Sequence, residues 1–131
     1  MSLPPIQPKS NILQALLDDF SFKTSDLLMA MVTTRDGLSV ASVKKDAIAH
    51  EEDALAVAAS RILDMSLEIN ETQLNQGELG RILIEGDKRT TIVMRAGRDT
   101  LFVVVVPANA KLGLMMLSAQ NIAHSIAKLY N

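Results

Sequence analysis

Two short runs, Leu27-Leu-Met-Ala-Met-Val32 and Leu101-Phe-Val-Val-Val-Val106, carry apolar side chains at every position. Successive side chains of a strand point to opposite faces, so a strand with no polar face must be covered on both. The chain therefore has to build a sheet with these two strands at its centre and other elements on each side. Few folds of this length meet that requirement.

The remaining strand candidates alternate and belong further out. Leu38-Ser-Val-Ala-Ser-Val43 has period two and follows Arg35-Asp36-Gly37, a turn with glycine where positive φ is needed. Residues 79–85, 90–95 and 100–106 come in quick succession, separated by Gly86-Asp87-Lys88 and Ala96-Gly97-Arg98-Asp99, and Pro107 stops the last. Hairpin connections then give an antiparallel sheet of order 2-1-5-4-3. Strand 79–85 lies at its edge, and Ile82, Leu83 and Ile84 there invite pairing with another chain.

Three helices accompany these strands. Ser10 is a plausible N-cap for a helix carrying Ile12, Leu13, Leu16 and Leu17 and ending near Asp19, with Phe20 and Phe22 pinning its far end. Asn109 is positioned to cap a final helix through Tyr130. The segment from Glu51 to about Leu74 is the unusual one. Leu55, Ala58, Ala59, Ile62, Met65 and Ile69 form one stripe, and Ala56, Leu63, Leu67 and Leu74 extend it. The apolar arc spans roughly 200°, where a helix on a single core needs only about 100°. The surplus calls for a second chain. Periodicity alone leaves open which half meets the sheet and which meets a partner.

Several function classes are excluded by composition. A length of 131 residues suits one domain with a real core. Residues 1–9 are expected to form a flexible arm and 10–131 a single domain. A net charge of −2 and 3% aromatics give neither the electrostatic footprint nor the stacking platforms of a nucleic-acid binder. The absence of cysteine excludes disulfides and thiolate metal sites. With no long apolar span and no signal-peptide pattern, a cytoplasmic location is expected.

Catalytic constellations are missing too. No Ser/His/Asp arrangement, phosphate loop or nucleotide fingerprint occurs, so no catalytic residue, cofactor or metal is expected. His50 and His124 are far apart without a paired acid at ligand spacing. Glu51-Glu52-Asp53 reads as charge complementing a helix N-terminus rather than a cation site, because adjacent helical residues do not converge. Arg35, Arg89, Arg95 and Arg98 read as solvated turn arginines, not as an arginine finger.

The order helix–strand–strand–helix–three strands–helix resembles the roadblock/dynein-light-chain family. Met31-Val-Thr-Thr-Arg-Asp-Gly-Leu38, Leu79-Gly-Arg-Ile-Leu-Ile-Glu-Gly86 and Pro107-Ala-Asn-Ala-Lys-Leu-Gly-Leu114 carry the resemblance across residues 10–131. The last stretch is similar to the proline, small residues and Asn/Leu-Gly that open the family's final helix. Length and N-terminal arm look more like the bacterial and archaeal members. The resemblance implies an α+β, profilin-like α/β/α sandwich, with the long helix on one face of a five-stranded antiparallel sheet and the terminal helices on the other.

It also implies a homodimer built from the long helix and the third strand. Prokaryotic members typically act with a Ras-like small GTPase, and those of the MglB type accelerate its GTP hydrolysis. The expected dimer contacts are Ala58, Ile62, Leu63, Met65 and Leu67 with Ile82 and Ile84; the expected partner contacts are Val57, Ser60, Arg61, Asp64 and Glu68. The expected function is thus a non-enzymatic dimeric regulator that modulates GTP hydrolysis or localisation of the GTPase. A dimeric scaffold with no effect on hydrolysis is the alternative, and a ligand-sensing domain a weaker third.

Overall fold

A computed structural model describes residues 9–130. In chain order the elements are α1 (Lys9–Lys23), β1 (Met29–Thr34), β2 (Ser39–Lys44), a 3-10 segment (Asp46–Glu51), α2 (Glu52–Ile69), a π-helical turn (Asn70–Leu74), β3 (Arg81–Glu85), β4 (Arg89–Arg95), β5 (Thr100–Pro107) and α3 (Leu112–Tyr130). The five strands form one sheet in the order β2-β1-β5-β4-β3, every neighbouring pair antiparallel. This is the expected topology.

Strict alternation along the central strands divides the interior into two cores. Ala30 and Val32 of β1 join Phe102, Val104 and Val106 of β5 and Ile92 and Met94 of β4 beneath α1 and α3. Met29 and Met31, with Leu101, Val103, Val105 and Val93, face the other way onto Ala56, Ala59 and Leu63 of α2. The terminal helices cover one face and the long helix the other, as expected. Apart from the half-buried Leu28, which precedes β1, both continuous apolar runs are buried because each of their faces meets a helix layer.

Helix ends depart from expectation in instructive ways. The ninth residue, expected in the arm, opens α1, so Ser10 sits within its first turn; the rest of the arm lies outside the described residues. Helix α1 continues past Asp19 to Lys23, and those two side chains pair at 3.1 Å. Phe20 packs edge-on against Phe102, centroids 5.5 Å apart. Phe22, expected to pin the same end, is 89% exposed. Two positions along a helix turn a side chain by about 200°, so both phenylalanines cannot face one core.

At the other ends, Asn109 lies in the turn closed by Ala110 N–H to Pro107 O (3.0 Å), and α3 starts only at Leu112, so Asn109 does not cap it. The long helix stops at Asn75, whose φ of 52° and ψ of 48° are left-handed. Asparagine tolerates that conformation, and its N–H closes the last turn on Asn70 O at 2.8 Å. Gly77, at φ +87°, then redirects the chain toward β3.

Candidate interaction surface

How α2 sits is decided by small residues and a few polar contacts. Gly37 in the β1–β2 turn has φ +97°, and a Cβ there would stand 3.2 Å from the Val57 Cα. Only glycine lets the turn approach the helix so closely. One helical turn on, the Ser60 hydroxyl donates to the Arg35 carbonyl at 2.5 Å, and Arg35 also reaches Asp64 at 3.8 Å.

The N-terminal end is held by charge. Lys44 meets Glu52 at 2.6 Å, the Ser39 hydroxyl donates to the same carboxylate at 2.5 Å, and Arg89 pairs with Glu51 at 3.1 Å. Burial pushes the Glu52 pKa up, but hydrogen bonds from Lys44, Ser39 and Ser42 and the Lys44 charge outweigh it, leaving the pKa below the ordinary carboxylate value. The three adjacent carboxylates diverge, with Asp53 exposed, and no metal-competent cluster occurs among the described residues. Arg35 and Arg89, expected to be solvated, are half-buried and paired. His50 and His124 are exposed.

These contacts settle which half of the helix faces inward. Ala56, Ala59, Ser60 and Leu63 are buried, with Leu55 and Leu67 flanking them against the sheet. Leu63, at 2% exposure, is therefore a core residue and not a dimer contact. Ser60 is likewise buried and engaged with Arg35 O, so it is not free for a partner. Leu63 belongs to an arc whose two apolar halves look alike in sequence and Ser60 to its polar remainder; the Gly37 approach and the Ser60 hydroxyl turn both inward.

Met65 and Ala58 lie roughly 150° around the helix from Leu63. Met65 is 64% exposed, Ile69 41%, and Ile62 and Ala58 are half-buried. Together they make an apolar strip along the outside of α2. Arg61, Asp64, Glu68 and the half-exposed Val57 form a second, mostly polar strip beside it, on the flank tied to the β1–β2 turn. The apolar strip occupies the opposite flank, away from the β1–β2 turn.

Strand β3 is an edge of the sheet, paired among the described residues with β4 alone, through Arg81↔Met94 to Glu85↔Thr90. Ile82 packs partly against the α2 core, while Leu83 and Ile84 are exposed on opposite faces. An exposed apolar helix strip and an apolar strand edge with one neighbour among the described residues thus border the same core, which Leu63 of α2 and Ile82 of β3 share. Single surface apolar residues need no explanation, whereas an exposed apolar helix strip and an apolar strand edge each mark a candidate interaction surface. Sequence reasoning missed Gly37's packing role and the Glu52 cluster. A serine within the alanine-rich stretch of α2 signals close approach only once the turn that faces it, with Gly37, is known.

No helix among the described residues is long and apolar enough to cross a membrane. Comparison with curated proteins gives no significant match. Among solved structures, the gliding protein MglB of Thermus thermophilus superposes with a TM-score of 0.83 at 18% identity, over 98% of this chain and 95% of that one. An MglB in a tetrameric arrangement gives 0.84 at 19% identity, over 98% and 94%. Profilin IA of Acanthamoeba castellanii gives 0.61 at 12% identity over 90% and 98%, which confirms the profilin-like layering. The family profile of the Roadblock/LC7 domain matches residues 13–106, and the chain belongs to that family.

Proposed function

We propose that this chain is a non-enzymatic regulator that works as a homodimer and binds a Ras-like small GTPase, modulating its GTP hydrolysis or its location. The observation that carries the proposal is the pair of exposed apolar features, the outer α2 strip and a β3 edge that among the described residues pairs with β4 alone. A two-fold contact through both would join two sheets and bury Ala58, Ile62, Met65 and Ile69 together with Ile82 and Ile84. Leu67, expected as a dimer contact, packs on the core beside Leu63, about 160° around the helix from Met65 and Ile69, and falls outside this contact. Family membership and the likeness to MglB support a regulatory adaptor rather than an enzyme.

The polar strip of Val57, Arg61, Asp64 and Glu68 is left facing outward in such a dimer and is the proposed GTPase contact. Helix α2 is anchored at its N-terminal end and its middle, so it presents a rigid face against which mobile switch loops can be ordered. Regulation would then come from positioning the GTPase's own groups, with no residue inserted.

Two measurements test this. Met65→Glu with Ile84→Glu places charge on exposed positions of the strip and edge, and light scattering should show a monomer. A dimer that survives both changes removes the interface. Single-turnover GTP hydrolysis by a Ras-like GTPase from the same genome, with and without this protein, then separates the two roles. An unchanged rate despite measurable binding leaves a scaffold.

A further inference from the structure

A groove of about 320 Å³ runs between α3 and the β3–β4 end of the sheet, on the face opposite α2. Its walls are Gln120, Ala123, His124 and Ala127 of α3 on one side and Gly80, Arg81 and Arg95 on the other, with Met94 at its floor. The spacing of the helical residues puts them on one flank of α3. Small side chains hold the groove open: Ala123 and Ala127 present only methyl groups, and a Cβ at Gly80 would meet nothing within 4 Å.

Its charge is unusual for this molecule. The chain carries a net −2, yet no carboxylate lines the groove, while two arginines and a histidine do. The ion pairs among the described residues engage Lys23, Arg35, Lys44 and Arg89, and neither Arg81 nor Arg95. A guanidinium presents a planar fork of N–H donors that matches phosphate or carboxylate oxygens in pairs. The groove's size lies at the lower end of small-molecule sites.

We infer that this groove binds a small organic anion bearing a phosphate or a carboxylate. Arg81 and Arg95 take the charged group, Gln120 and His124 supply further polar contacts, and Met94, Ala123 and Ala127 receive the apolar part. The groove owes nothing to the exposed strip of α2, so the inference stands apart from the proposed GTPase regulation.

Calorimetric titration of the full chain with AMP, citrate and uncharged adenosine tests it. AMP should bind saturably, with amide shifts clustered at 80–81, 94–95 and 120–127 in a heteronuclear spectrum. Arg81→Gln combined with Arg95→Gln should weaken binding by about tenfold or more, since hydrogen bonds to charged groups are the ones removed. Ala127→Leu should block the groove without changing its charge. AMP bound in preference to citrate assigns a phosphate ligand, and citrate bound as well or better assigns a carboxylate. Failure of both anions to bind, adenosine binding as tightly as AMP, or unchanged affinity in the double variant overturns the inference.

Discussion

The hydroxyl of Ser60 donates to the backbone carbonyl of Arg35 at 2.5 Å, tying the middle of α2 to the turn between β1 and β2. One polar side chain in an otherwise apolar stripe thereby fixes which way the helix is rotated. Replacing it by alanine keeps the packing volume nearly intact and removes the donor. Ser60→Ala should destabilise by about 1 kcal/mol, the net worth of one such hydrogen bond. Thermal denaturation should show the melting temperature lowered by about 3 °C. An unchanged melting temperature would mean that Gly37 and the ion pairs alone set the rotation.

Gly37 contributes to the same anchor by absence. Its φ of +97° and the 3.2 Å that would separate a Cβ from the Val57 Cα both oppose any side chain. Gly77 provides a matched control, since φ is +87° there but a Cβ would meet nothing within 4 Å. Both alanine variants incur the backbone strain of about 1 kcal/mol or more. Only Gly37→Ala also drives two backbones apart. Its urea midpoint should therefore fall clearly below that of Gly77→Ala; equal midpoints would show that the close approach carries no weight.

The carboxylate of Glu52 makes stability depend on acid. Its pKa lies below the ordinary value because the hydrogen bonds from Lys44, Ser39 and Ser42 and the Lys44 charge outweigh burial. A depressed carboxylate pKa contributes stability above the unfolded-state value near 4.5, and that contribution is lost as pH falls through the folded pKa. Glu52→Gln should be less stable than the parent at pH 7, and the gap should narrow once pH drops below about 4.5. Melting temperatures of both proteins between pH 3 and 7 check this, and a constant gap across that range would contradict it.

Much of this architecture was legible because burial on two faces leaves a plain signature. Leu101–Val106 reads as a doubly covered strand, and hairpin connections on either side leave little choice of strand order. The edge position of Ile82–Ile84 follows from the same reasoning. Helix rotation was not legible, because Leu63 and Met65 are equally apolar and differ only in what faces them. The deciding contacts, Ser60 to Arg35 O and Gly37 to Val57, span 25 and 20 positions of sequence, so local periodicity does not carry them. Ion pairs were hidden for the same reason: Glu51 reads as a helix-end charge, and its Arg89 partner lies 38 residues on. The Phe22 error was of another kind, a helix ended one turn early.

The junction between α2 and β3 depends on one buried amide. Asn70 is 5% exposed; its Nδ2 donates to the Gly77 carbonyl at 2.6 Å, while its Oδ1 is buried without a hydrogen-bond partner among the described residues. It opens the π-helical turn that delivers the chain toward the sheet edge. Asn70→Asp preserves shape but replaces the donor with a carboxylate oxygen facing Gly77 O, and it buries a charge. Both effects favour the protonated form, raising the folded-state pKa of the introduced carboxyl above its unfolded value. The variant should therefore be markedly destabilised at pH 7, by about 2 kcal/mol or more. The deficit should shrink at pH 4.5, where a protonated carboxyl can again donate to Gly77 O. Because Glu52 is common to both proteins, the difference in urea midpoint between variant and parent isolates the new group. Hydrogen exchange should quicken first in residues 70–80, ahead of the central strands. A deficit independent of pH, or exchange that rises uniformly, would show that this amide does not hold the junction.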